Sequence, residues 1–228
     1  WTLAVLVESP LALRLIQGLA ALAGIAFAAL TLRLQMQRRR ARSDATHRYW
    51  QLGLGSAIFA LFLPLTAAAW PPLADLPGWS LIFGILLLVG GFMSFIVGML
   101  YKIVPFLAWL HMQNCSSGQT PAPNMNRILP EADMQRQVKA HALAVAMLLA
   151  AVAWPEWLAR PAGAALALAS GWLFYNLLGA VGRYRRRVAR RAVADLVGER
   201  VAAAVVRVRR VSVAAVSGEG HGDVRRIR

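Results

Sequence analysis

Acidic residues and cysteine are what this sequence has least of. Of 228 residues only 10 are Asp or Glu, against 25 Lys and Arg, and Cys115 is the single cysteine. One thiol excludes an internal disulfide and every paired-cysteine metal or redox motif; as a free thiol it fits a reducing compartment. The signatures of soluble enzymes are also missing: no glycine-rich phosphate loop, no HExxH, no CxxCH haem-attachment motif and no GxSxG elbow. The few acids avoid the long apolar stretches. Glu8, Asp75 and Glu156 flank them on one side, and Asp44, Glu131 and Asp133 on the other. The buried carboxylate that a proton-coupled transporter ordinarily uses is therefore lacking.

What the sequence has in abundance is apolar length. It is 58% hydrophobic and only 15% charged, with a mean hydropathy of +0.52, both departures from soluble composition in the direction of a membrane protein. About 20 apolar residues at 1.5 Å rise cross roughly 30 Å of hydrocarbon. On that measure the pattern predicts an all-α, polytopic transmembrane bundle of about five spans, at 11–34, 49–70, 80–101, 138–155 and 161–181. Tyr49, Trp50 and Trp70 lie at span ends, as in an interfacial aromatic belt. The third apolar run, from Trp79 to Leu110, is about 48 Å long as a helix, too much for one straight crossing. Lys102 and Pro105 resolve the excess: Lys102 snorkels to the headgroups, and Pro105 kinks the helix so that Phe106–Leu110 lie along the interface. Pro130, Glu131 and Asp133 read as the start of the fourth helix, its acids favourable to the helix dipole. Gly90, Gly91 and Gly98 read as points of close helix packing.

Positive charge sets the orientation. Six Lys/Arg follow the first span, three follow the third and thirteen follow the fifth, whereas the opposite connections carry only Arg160. The positive-inside rule then places Trp1 outside and the C-terminus in the cytoplasm of a bacterial inner membrane. Because the first residue is Trp1, with no basic leader before Pro10, the sequence reads as the C-terminal part of a larger membrane protein. Arg38, Arg39, Arg40, Arg183, Arg185, Arg186 and Arg187 are the expected contacts to anionic lipid headgroups. The bilayer and other membrane subunits are the expected partners, and nucleic acid is not.

The segment 183–228 holds thirteen Arg against four acids and has one aromatic residue, Tyr184, near its start. It reads either as a basic cytoplasmic tail on anionic lipid, ordered or disordered, or, from Arg191 on, as the product of a shifted reading frame in GC-rich DNA.

Histidine supplies the candidate chemistry. His47, His111 and His141 all fall near the cytoplasmic boundary by this topology. Two on facing helices hold a haem and three hold zinc or copper; the plain alternative is half-solvated interfacial imidazoles. Tyr101, Lys102 and Pro105 similarly read as a broken-helix pathway element or as snorkelling plus a kink.

The segments GMLYKIVPFLAWLHMQ (98–113) and PNMNRILPE (123–131), with HRYWQLG (47–53) before them, resemble a group of uncharacterised bacterial polytopic inner-membrane proteins over roughly residues 45–185. Some of that group are distantly similar to the haem–copper oxidase catalytic subunit, whose histidines bind haem and copper. This sequence departs from that subunit by lacking a His-x-His and the closely spaced pair of the binuclear centre. The resemblance implies a haem- or metal-binding, redox-related membrane protein in which His111 or His141 matters. A transporter or permease, and a structural or assembly subunit, are the alternatives.

Overall fold

The computed structural model describes residues 10–37, 44–114 and 129–219. These form helices α1 (Pro10–Met36), α2 (Ala45–Ala69), α3 (Trp79–Asn114), α4 (Glu131–Ala153) and α5 (Pro155–Glu219), with no strand among the described residues. Each of the five contains a segment long and apolar enough to cross a membrane. The molecule is an all-α, polytopic transmembrane bundle. The chain divides into two units, Trp1–Val181, which holds the bundle, and Gly182–Arg228.

The bundle wears its large apolar side chains outside. Leu15, Leu19, Phe27, Leu88, Phe92, Leu168 and Phe174 are exposed, while the buried apolar positions of α1 and α5 are small: Ala21 and Ala28, and Ala162, Ala169 and Ala180. Lipid is as apolar as leucine, so helices in a bilayer associate through close backbone approach and polar contacts rather than by hiding hydrophobic bulk. Helix α2 is the hub, packing against α1, α3 and α4.

Glycine makes the α2–α3 seam. A Cβ at Gly53 would meet the Phe95 ring, one at Gly90 would fall 2.5 Å from Ser56 Oγ, and one at Gly98 would fall 2.9 Å from Tyr49 Cβ. The close-packing expectation is thus realised against α2 at Gly90 and Gly98, whereas a Cβ at Gly91 would meet α2 only at an ordinary 3.9 Å, from Gly53 O. The same seam contains an element the sequence does not announce. Residues Ile85–Met93 of α3 form a π-helix between α-helical Trp79–Gly84 and Ser94–Asn114. Nine residues is long for a π-helix, a form seen mostly as single turns and often at functional sites.

The α2–α3 turn is set by proline and glycine. Pro71 opens a 3₁₀ turn, Pro71–Asp75, and Gly78 at φ +83° feeds Trp79 into α3. Only glycine adopts that conformation freely. A Cβ there would also drive into Val152 of α4.

Helix boundaries refine the expected spans. Helix α3 continues as one helix through Pro105 to Asn114, well past the expected end at 101, because the residues after Pro105 keep helical hydrogen bonding. The fourth helix starts at Glu131, so its polar first turns belong to the same element as the apolar stretch. Pro130 is its N-cap residue rather than a first-turn residue. The fifth begins at Pro155 and runs without a break through Arg183, Arg185, Arg186 and Arg187 to Glu219.

Glu131 ties two helix starts together. Asp44, the N-cap residue of α2, makes no side-chain cap. Instead Glu131 Oε1 accepts the Ala45 N–H across 2.6 Å, and accepts Gln135 Nε2 at 2.7 Å. A carboxylate on orphan N–H groups at a helix N-terminus gains from both the hydrogen bond and the dipole. Leu129, two residues before it, is fully buried.

Candidate functional site

Polar side chains from four helices meet inside the bundle. His141 on α4 and Ser94 on α3 are fully buried, with Ser94 Oγ 3.1 Å from His141 Nε2. Tyr49 on α2, also fully buried, sets its ring 5.8 Å from the imidazole and 6.0 Å from the Tyr101 ring, tilted to both. Asn176 on α5 donates from Nδ2 to the Tyr101 hydroxyl at 3.1 Å. One turn before His141, the buried Gln137 donates to the Ala169 carbonyl of α5 at 3.1 Å. Ser94, His141, Tyr49, Tyr101 and Asn176 thus form one polar cluster, hydrogen bonded at its two ends and joined through the Tyr49 ring by packing contacts.

The backbone explains why these groups converge. Gly98 removes the side chain that would otherwise hold Tyr49 away, so the phenol turns inward between α3 and α4. The π-helix brings the Val89 carbonyl up to the imidazole, immediately before α-helical winding resumes at Ser94. Even so, His141 Nδ1 and the Tyr49 hydroxyl make no hydrogen bond of acceptable geometry within the protein. A buried polar group left in that state costs about 1–3 kcal/mol, and such groups in native structures call for an explanation.

A second polar feature lies near the end of α1 and the start of α2. There a cavity of about 270 Å³ is lined by Gln35 of α1, by Thr46, His47 and Trp50 of α2 with Asp44 before them, and by Lys102 of α3.

The expected site residues separate accordingly. His141 is in the interior, His47 lines the cavity and His111 is exposed. Among the described residues, no group of three or more His, Cys, Asp or Glu is placed to hold a metal ion. With His141 Nε2 engaged by Ser94 and the other two imidazoles in other settings, the set does not fit a bis-histidine haem held by these residues alone. Tyr101 and Pro105 are buried, and Lys102 is exposed toward the cavity. Arg38, Arg39 and Arg40 lie outside the described residues. Arg185 and Arg186 are exposed, and Arg183 and Arg187 half-buried, on α5.

Tyr49 overturns the belt reading: it is an interior residue. Ser94, Gln137 and Asn176 were not singled out by sequence, although each stands as a polar residue in a spanning helix, which was the available signal. Comparison with protein-family models, curated proteins and solved structures gives no match to this chain.

Proposed function

We propose that this chain is a proton-handling, multi-pass protein of the bacterial inner membrane, with its C-terminus in the cytoplasm and His141 as the group that takes up and releases the proton. One observation carries the reading. An imidazole and a phenol lie side by side in the bundle interior, each with a buried polar atom that makes no hydrogen bond of acceptable geometry.

Imidazole is the side chain whose ordinary titration range spans neutrality, and ionisable groups in spanning segments are rare and generally functional. Ser94 rotates its hydroxyl to donate to or accept from Nε2, so the two ring nitrogens serve as the two ends of a transfer. Tyr49 and Tyr101, with ring centroids 6.0 Å apart, extend the polar path through the interior of the bundle. This arrangement fits a transporter or a redox-complex subunit without a carboxylate relay. Anionic lipid against the Arg-rich segments, and further membrane subunits, complete the expected setting.

The test is proton flux into liposomes carrying the full chain, driven by a potassium diffusion potential and read with an entrapped pH dye. Wild type is expected to exceed protein-free vesicles, His141→Gln to lose at least tenfold of that excess, and Tyr49→Phe to lose a large part of it. Flux equal to empty vesicles, or unchanged in both variants with helicity intact, would overturn the proposal.

A further inference from the structure

The cavity beside the interior cluster has a chemistry of its own. Its lining presents one carboxylate, Asp44 at the start of α2, and one ammonium, Lys102 within α3. Among the described residues these two charges form no ion pair with one another, although both face the same space. Two opposite charges held apart across a cavity leave room for a ligand that bears both complementary charges. Other walls fit the same ligand. Trp50 lines the cavity, and an indole is the aromatic group that attracts a cation best. Gln35 Oε1 is buried and unpartnered, an acceptor for an ammonium N–H. His47 and Thr46 complete a polar lining, with donors for an anion's oxygens.

Size narrows the class. At about 270 Å³ the cavity falls just below the roughly 300–1,000 Å³ of pockets for drug-sized ligands, and it is open at the end of the bundle. It therefore suits a small group of a few heavy atoms that reaches in from the boundary.

We infer that this cavity binds a small zwitterion, a primary ammonium joined by a short linker to a phosphate, with the ammonium at Asp44, Trp50 and Gln35 and the phosphate at Lys102. This chemistry has two sources, the phosphoethanolamine headgroup of a membrane lipid and a free phosphorylated amine. A quaternary ammonium is the discriminating analogue, because it keeps the charge but has no N–H to donate to Asp44 or Gln35. The inference stands apart from proton handling at His141.

The test is isothermal titration of the full chain, in nanodiscs made of phosphatidylcholine, with O-phosphoethanolamine. Phosphocholine, ethanolamine and inorganic phosphate are each expected to bind at least tenfold more weakly. Asp44→Asn and Lys102→Met are each expected to weaken phosphoethanolamine at least tenfold, and Lys102→Arg to retain it. Helicity and gel-filtration profile establish that the variants fold, and His141→Gln should bind as wild type. Repeating the titration in phosphatidylethanolamine nanodiscs identifies the source. Loss of the added ligand's binding there marks the lipid headgroup as the occupant, and undiminished binding marks the free zwitterion. Absence of binding, equal binding of phosphocholine, or indifference to both Asp44→Asn and Lys102→Met would overturn the inference.

Discussion

Replacing Glu131 by alanine should loosen the bundle at a point far from any expected chemistry. The carboxylate holds two hydrogen bonds, to the Ala45 N–H at 2.6 Å and to Gln135 Nε2 at 2.7 Å, and both bonds are part-buried. The Gln135 bond joins neighbouring turns of one helix, so its loss contributes less. The Ala45 N–H is different. It belongs to the first turn of the hub helix, Ala45 itself is fully buried, and Asp44 supplies no side-chain substitute. Loss of a helix cap costs about 0.5–2 kcal/mol, and hydrogen bonds to charged groups contribute about 1.5–3 kcal/mol. The part-buried setting favours the lower half of that range, so about 1–2 kcal/mol is expected, a factor of about 5–30 in the folded-to-unfolded ratio. Glu131→Gln keeps an acceptor oxygen but loses the charge, and should recover about half. The assay is reversible unfolding in mixed micelles as denaturing detergent is raised, followed by tryptophan fluorescence. A double substitution of Glu131 and Gln135 to alanine should fall within about 0.5 kcal/mol of Glu131→Ala alone, since the two share one carboxylate. A Glu131→Ala chain as stable as wild type would refute the reasoning, because the cap would then be redundant.

Two other substitutions probe the backbone. Gly78→Ala places a Cβ at φ +83° and against Val152. The left-handed conformation alone costs about 1–2 kcal/mol, so its unfolding midpoint should drop further than that of Gly55→Ala, where a Cβ meets nothing within 4 Å. Gly90→Ala should cost about 1–3 kcal/mol through overpacking against Ser56; Ser56→Gly in the same chain should restore part of the loss, a coupling that a double-mutant cycle measures.

The spans were legible because a single physical quantity decides them. Twenty or more apolar residues in a row have few destinations, and α1, α2 and α4 begin or end within a few residues of the expected limits apart from α4's polar start. Where the sequence misled, the deciding interaction was remote. What the local sequence does not tell is that α3, expected to kink at Pro105, stays helical past it to Asn114 with Pro105 buried. The π-helix has no local signal either. Residues Ile85–Met93 read as an unremarkable apolar helix, and their winding goes with the seating of Gly90 on Ser56, 34 positions earlier in the chain. Glu131 looks like a favourable first-turn acid of its own helix, and its partner across the bundle is 86 residues away.

The interior site turns on the same distinction between composition and register. That Ser94, Gln137, His141 and Asn176 are polar residues on spanning helices is visible in the sequence. Which of them meet is not, because a helix can rotate its polar residues toward any neighbour until something fixes the interface. Glycine fixes it here. With Gly53, Gly90 and Gly98 locking α2 to α3, Tyr49 has one direction available, inward to Tyr101 and His141, and a residue that resembles an interfacial anchor becomes the centre of the polar cluster. The histidines divide for the same reason. His47 and His141 belong to helices that both pack on the glycine seam, yet two residues along α2 separate the cavity-lining His47 from the interior Tyr49. Seam geometry rather than histidine spacing therefore determines which imidazole is interior, and a glycine pattern at helix contacts predicts that better than proximity to the membrane boundary does.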